Sequence, residues 1–373
     1  MARVASAPTV LFAGGGTGGH IFPNAAVVQK ATAMGRSLTP HFLVSNRDID
    51  HRLLEPLGYD YTALTALPFT VHPLRVLRFV QHYHAAQRQC RRVIERVQPA
   101  ALVATGGFVS APAVKAAARE GIPVALVNLD AAPGRANRWC ATDATEVFTA
   151  YAEAGLPRAQ RIGVPLRGEA AQSVDPHHAR RELGLRPNAE TLLITAGSQG
   201  ASTINLMAME MVGRTAHRRV FEGRQVLHLA GPDMRDEVAA AYGKAGVSAK
   251  VEAFCQRMGL AWSAATIAVS RAGAGSVAEA WRHAVPTIFM PYPFHKDEHQ
   301  KKNAEPLVNA GGAMLIRDRV DPAANVAEVA GPLASLLDGE ARRAKMRDAA
   351  AASRPPDGAD AVAKWLLSIG AAK

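Results

Sequence analysis

Twice in this chain an apolar run of strand length ends in a glycine-rich turn that opens a helix. Near the start, Val10-Leu11-Phe12-Ala13 leads into Gly14-Gly15-Gly16-Thr17-Gly18-Gly19-His20. Midway, Leu192-Leu193-Ile194-Thr195 leads into Ala196-Gly197-Ser198-Gln199-Gly200. Unbroken apolar runs fit strands buried on both faces, and glycines let the backbone approach a ligand while the following helix aims its unpaired N–H groups at it. Two such units predict an α/β chain of two Rossmann-like, doubly wound domains facing a central cleft.

The rest of the chain keeps the same rhythm. Strand candidates at His41–Ser45, Ala101–Thr105, Val124–Leu129, Glu146–Ala150, Val226–Ala230, Lys250–Phe254, Thr266–Ser270 and Thr287–Met290 alternate with helix-period stretches. That alternation means parallel sheets covered on both faces, with ligands at the carboxyl ends of the strands. At 373 residues and 48% hydrophobic, the chain is long enough for two cores. The expected division is 1–163 and 164–354, at Gly163-Val164-Pro165-Leu166-Arg167. The segment 355–373 contains an amphipathic helix of a kind that often packs back on the first domain.

Composition narrows the classes. No apolar run approaches the ~18 residues of a membrane span, and the N-terminus enters a strand directly, so neither a spanning helix nor a secretory signal is expected. Cys90, Cys140 and Cys255 are too scattered for a metal site and read as reduced thiols. The net charge is +11, of which residues 1–163 carry +7. Such a surface suits nucleic acid, acidic lipid or a phosphorylated substrate.

Individual loops carry the chemistry. The first matches G-x-G-x-x-G at Gly14, Gly16 and Gly19, a weak dinucleotide signal; the second strand ends in Arg47 rather than an acid, which leaves NADP open. His20 stands where a glycine turn exposes a side chain, and an imidazole there suits proton transfer near neutral pH. Asp48-Ile49-Asp50, set among Arg47, His51 and Arg52, reads as a solvated loop, and no required metal or other cofactor is expected. In Ser270-Arg271-Ala272-Gly273-Ala274-Gly275-Ser276 a strand meets a helix through small residues. Free N–H groups at Ala274, Gly275 and Ser276 would clamp a diphosphate. Glu279, one turn on, would accept from ribose hydroxyls, or else form a capping box with Ser276. His299 and Gln300 open a further helix with polar tips suited to sugar hydroxyls. Between Leu67 and Arg96, six arginines face one glutamate, and Arg75 and Arg78 interleave with Phe69, Val71, Leu74, Val76, Leu77, Phe79 and Val80. This reads as a monotopic membrane contact or as a core helix with a solvated basic face; scarce aromatics elsewhere weigh against nucleic acid.

Taken in order, five segments resemble the MurG family of bacterial glycosyltransferases: Gly15–Pro23, Thr105–Pro112, Gly197–Ala201, Arg271–Glu279 and Asp297–Asn303. The resemblance implies a GT-B fold and inverting, metal-independent transfer of N-acetylglucosamine from UDP to a lipid-linked muramyl-peptide, peripherally on the cytoplasmic face of the inner membrane. His20 would then help deprotonate the attacking hydroxyl. Ser198 and the Ala274–Ser276 amides would hold the donor diphosphate, and Gln199 and Arg271 would belong to the same UDP-N-acetylglucosamine site. Cys255 would face uracil through its backbone, Glu279 ribose, and His299 and Gln300 the sugar. Thr17, Gly18 and Gly19 would close on donor or acceptor, and Arg167 would neutralise phosphate. Val71, Leu74, Arg75, Leu77, Arg78 and Phe79 would rest on acidic inner-leaflet lipid. The sequence departs from the family at Asn128-Leu129-Asp130, Gly163-Val164-Pro165, Phe108 and Ala196. Asp130 accepts hydrogen bonds but cannot donate as an amide would. A transferase with another acceptor, an NADP oxidoreductase and a non-catalytic sugar-nucleotide binder remain alternatives.

Overall fold

The computed structural model describes residues 7–35, 37–70, 72–195, 201–295 and 297–371. They form two compact units, one running to Arg167 and resuming at Pro355, the other Gly168–Arg354. The Val164–Arg167 stretch thus lies with the first unit, four residues beyond the division expected from sequence.

The first unit holds β1 (Thr9–Gly14), β2 (Thr39–Ser45), β3 (Asp60–Leu64), β4 (Ala101–Gly106), β5 (Val124–Asn128), β6 (Glu146–Thr149) and β7 (Ala159–Arg161). Every pairing is parallel, in the order β3-β2-β1-β4-β5-β6-β7. The central strands are apolar along their length because helices cover both faces: Leu11, Phe12 and Ala13 are fully buried, as are Leu102, Val103 and Ala104. A stack of Phe12, Phe42 and Tyr59, with ring centroids 5.4 and 5.2 Å apart, closes one layer. The helix Gly18–Ala33 packs against the terminal helix Gly358–Ala371, and Lys30 pairs with Asp360 at 2.6 Å. The returning chain crosses at Gly163 and Gly358, where a Cβ on either would collide with the backbone of the other segment.

The second unit holds β8 (Thr191–Thr195), β9 (Gln225–Leu229), β10 (Ala249–Glu252), β11 (Ile267–Ser270), β12 (Thr287–Phe289) and β13 (Ala313–Leu315), all parallel, in the order β10-β9-β8-β11-β12-β13. Trp262 is fully buried beneath this sheet, and Trp281 donates to the Ala350 carbonyl at 3.1 Å. In each unit the strand order reverses beside the first strand, at β1/β4 and at β8/β11. Loops leaving those neighbours diverge to opposite faces, and ligands bind in the crevice so formed.

Within the second unit His228 is buried between the Tyr242 hydroxyl (3.1 Å from Nδ1) and Asn205 Oδ1 (3.0 Å from Nε2). Burial pushes its pKa down to about 3. Burial also lowers His41 and His283. These rings stay neutral in the fold, while the unfolded chain takes up protons below about pH 6.5. Stability is therefore expected to be complete above that pH and to fall as the pH drops from about 6.5 towards 3. Urea unfolding against pH checks this, and His228→Gln, which cannot titrate, should flatten the slope.

Candidate functional site

In the first unit the loop after β1 is fastened from below by a carboxylate. Asp50 is fully buried; both its oxygens lie 2.8 Å from the Gly16 amide, and one accepts from the Ser45 amide (2.9 Å) and Ser45 hydroxyl (2.5 Å). A buried carboxylate is tolerable only when hydrogen-bonded in this way. The expectation that 48–50 form a solvated loop is therefore wrong: Asp48 opens the helix Asp48–Leu54, and Asp50 turns inward to anchor the glycine turn. Packing also explains the glycines here. A Cβ on Gly15 would lie 2.6 Å from Asp50 Oδ2 and 2.8 Å from the Ser45 nitrogen, and Gly16 has φ of 88°.

His20 lies one turn on. Its Nδ1 is 3.1 Å from the Thr105 carbonyl, which can only accept, so Nδ1 carries the proton and Nε2 presents a lone pair. The Thr105 hydroxyl donates to the His20 carbonyl at 2.7 Å and accepts from Asn24 at 3.2 Å. Burial lowers the His20 pKa, against the opposing effects of the Asp130 charge, the Thr105 bond and the Asp50 charge. The imidazole is thus neutral at pH 7, next to negative charge that would stabilise its protonated form. Gly106 and Gly107, with φ of 107° and 77°, turn beside it; a Cβ on Gly107 would sit 3.6 Å from His20 Nε2. A polar ladder positions Asp130: Asn137 donates to Asn128 (2.9 Å), whose amide donates to the Asp130 carbonyl (2.8 Å) and the Thr149 hydroxyl (3.2 Å). Thr17 is the extended N-cap of the His20 helix and makes no side-chain cap; Gly18 is buried and Gly19 exposed. Arg167 is buried with its guanidinium 3.9 Å from the Phe22 ring centre, against the same helix.

The second unit's loop after β11 differs in kind. The helix Ala274–His283 begins with Gly273 as N-cap and no side-chain cap. Ser276 is therefore the third helical residue, and the capping-box alternative does not form. Glu279 instead accepts the indole N–H of Trp262 at 2.8 Å on one oxygen. Among the described residues nothing lies within 4 Å of a Cβ built on Gly273 or Gly275, and neither has a positive φ. No described neighbour requires glycine there, although glycine in a helical turn costs up to about 1 kcal/mol against alanine. The buried guanidinium of Arg271 pairs with Asp318 (2.7 Å) and donates to Thr203 (2.5 Å) and to the carbonyls of Met290 (2.8 Å) and Pro291 (3.2 Å). Arg271 thus ties loops together. Cys255 lies half-buried just past β10, its thiol pKa raised by burial. His299 is held by Asp297 at 2.8 Å, and the Gln300 carbonyl oxygen accepts the Tyr292 amide at 2.9 Å. Ser198 and Gln199 lie outside the described residues.

On the first unit, the helix Pro73–Val97 changes character midway. Ala86, Cys90, Val93 and Ile94 are core, whereas Val76, Leu77 and Val80 are 37%, 67% and 39% exposed beside exposed Arg75 and Arg78. Phe79 is half-buried; Val71 and the side chain of Leu74 lie outside the described residues. Phe69, Phe79, Tyr83 and Trp139 form a chain of ring contacts, with Arg135 over Phe69 and Lys115 over Trp139. Trp139, Arg135 and Lys115 escaped sequence reasoning because they join the surface only through folding.

The grip of Asp50 on the turn yields a prediction. Gly15→Ala should destabilise the first unit by about 1–3 kcal/mol through overpacking. It should also lower turnover by displacing the turn that leads into His20. Urea denaturation and initial rates measure the two effects.

Comparison with known proteins places the chain. Residues 10–149 match the glycosyltransferase family 28 N-terminal domain, and 191–362 the family 28 C-terminal domain. A protein of Mycobacterium avium named UDP-N-acetylglucosamine–N-acetylmuramyl-(pentapeptide) pyrophosphoryl-undecaprenol N-acetylglucosamine transferase is 35% identical over 377 residues, covering 97% of this chain and 89% of that one. A protein of the same name from Clavibacter sepedonicus is 36% identical over 357 residues, covering 94% and 93%. Among solved structures, Acinetobacter baumannii MurG superposes with a TM-score of 0.70 at 22% identity, covering 96% of this chain and 99% of that one, and shares the GT-B fold of paired Rossmann-like units. With both domain models matched in order, and relatives above 30% identity along nearly its whole length, the chain belongs to the MurG-type glycosyltransferases of family 28.

Proposed function

We infer that this protein transfers N-acetylglucosamine from UDP-N-acetylglucosamine to the muramyl sugar of lipid I, forming lipid II for peptidoglycan. The observation that carries this is near full-length identity of 33–36% to transferases named for that reaction. The site geometry gives it a mechanism.

The amides at 274–276 suit the donor diphosphate, with the positive end of their helix behind them. The Glu279 carboxylate suits the ribose, the Cys255 backbone the uracil, and His299 and Gln300 the sugar hydroxyls. In the first unit, Nε2 of His20 accepts the proton of the muramyl hydroxyl as its oxygen attacks the anomeric carbon. The bond from that carbon to the phosphate oxygen breaks, and UDP leaves with the electron pair. Negative charge grows on the leaving phosphate, so preorganised N–H donors stabilise the transition state more than the ground state. Arg167 contributes positive charge, and Asp130 stabilises the imidazolium that forms. Thr17, Gly18 and Gly19 form the turn against which the substrate closes.

The acceptor is a polyprenyl diphosphate, so the enzyme works at a bilayer. Among the described residues no helix is long and apolar enough to cross a membrane. Exposed Val76, Leu77 and Val80, flanked by Arg75 and Arg78, suit shallow insertion among acidic lipids, and the Phe69–Trp139 chain extends that patch. The enzyme accordingly sits peripherally on the cytoplasmic face of the inner membrane.

Purified protein given UDP-N-acetylglucosamine and lipid I should form lipid II; no product with active substrate would sink the reading. His20→Ala should lower kcat by roughly 10²–10⁴-fold with donor KM little changed, whereas Gly275→Ala should keep or raise stability while weakening UDP binding, read by calorimetry. Leu77→Glu should reduce sedimentation with phosphatidylglycerol vesicles and spare UDP affinity; unchanged sedimentation would move the membrane contact elsewhere.

A further inference from the structure

The rim of the first unit's site carries an exposed arginine. Arg47 follows β2 and precedes the helix Asp48–Leu54; its carbonyl accepts the Asp50 amide at 2.9 Å and its side chain is exposed. The guanidinium lies 5.2 Å from the centre of the Phe108 ring. Gly16 makes this closeness possible: a Cβ there would come within 3.2 Å of Phe108 Cε1 and 3.6 Å of Arg47 Nη1. Phe108 itself follows Gly107, which abuts His20. The cation, the ring, the two glycine turns and the base thus form one continuous rim.

The charge of Arg47 is uncommitted. Among the described residues Arg47 makes no ion pair, although two aspartates stand within three positions of it. Asp50 is turned inward to Gly16 and Ser45, and Asp48 begins the helix. A planar guanidinium braced on an aromatic face keeps its N–H fork free for a two-oxygen anion, with little freedom left to lose on binding. An arginine needed only for solubility would not require a ring, or a glycine opposite it.

We propose that Arg47 binds an oxyanion of the acceptor, a phosphate or carboxylate of lipid I, and so sets where the muramyl hydroxyl meets His20. The proposal rests on the transferase reading above. The acceptor carries two anionic parts, the diphosphate and the stem-peptide carboxylates, and the fork of Arg47 fits either. The donor's phosphates are assigned to the other unit, so Arg47 should be felt in acceptor affinity alone. Phe108 acts through Arg47 as a positioning residue.

The test compares wild type with Arg47→Gln, Arg47→Lys and Phe108→Leu in the lipid II assay. Arg47→Gln should raise acceptor KM about 10–100-fold, as loss of a charged hydrogen bond does, and leave donor KM within about twofold of wild type. Arg47→Lys should recover part of the loss, because a point charge replaces the fork. Phe108→Leu should give a smaller rise in the same constant. Two acceptor analogues, used as competitive inhibitors, identify the oxyanion: one with stem carboxylates amidated, one with the diphosphate replaced by a neutral linker. The Arg47→Gln penalty in Ki should vanish for the analogue lacking the group that Arg47 holds. An acceptor KM unchanged in Arg47→Gln, a donor KM rising with it, or a penalty equal against both analogues overturns the proposal. Wild type that makes no lipid II overturns the transferase reading instead, so the two failures are distinct.

Discussion

Both units depend on the reversal of strand order beside their first strand. At β1/β4 and at β8/β11, neighbouring loops leave the sheet towards opposite faces. Their backbone amides cannot pair with each other, and no strand continues to cover them. That topological fact, rather than any single side chain, creates a polar crevice at the carboxyl edge of an otherwise apolar sheet. The helices that follow add the positive ends of their dipoles.

The two units use that crevice differently, and their glycines show it. In the first, Gly15 and Gly16 are explained from inside: the carboxylate of Asp50 and the positive φ of Gly16 leave room for nothing larger. The result is a turn fastened at the Gly16 amide, directly before the helix that carries His20. In the second, no described residue lies within 4 Å of a Cβ built on Gly273 or Gly275. The scaffold stands behind that turn, in the Arg271–Asp318–Thr203 network. A site that holds a reacting side chain needs the first arrangement; a site that grips a charged ligand through backbone needs the second.

This contrast also explains what was legible in the sequence. Buried apolar strands announce themselves locally, so ten strands could be read directly, the two before the glycine turns among them. The short strands β3, β7 and β13 lack a long apolar run and were not legible. Asp50 was misread because its neighbours are charged: composition reports the neighbourhood of a residue, not the direction of its side chain. The pairing of Arg271 was illegible for a related reason: its partner Asp318 is 47 positions away and invisible to local pattern. The possible capping box does not form because the helix caps at Gly273, three residues before Ser276.

The helix Pro73–Val97 shows how the membrane and the chemistry come to share one unit. Its length, about 37 Å at 1.5 Å per residue, exceeds what the core can cover, so its second half is buried and its first half projects. Apolar side chains there would be a liability on a surface facing only water. They run instead into a chain of rings ending at Trp139, on the short helix Arg135–Cys140. That same helix carries Asn137, which reaches under the sheet edge to Asn128 and so to the Asp130 backbone. One six-residue segment therefore carries an aromatic of the exposed patch and a support of the Asp130 backbone, so the patch and the loop beside His20 are tied to one element.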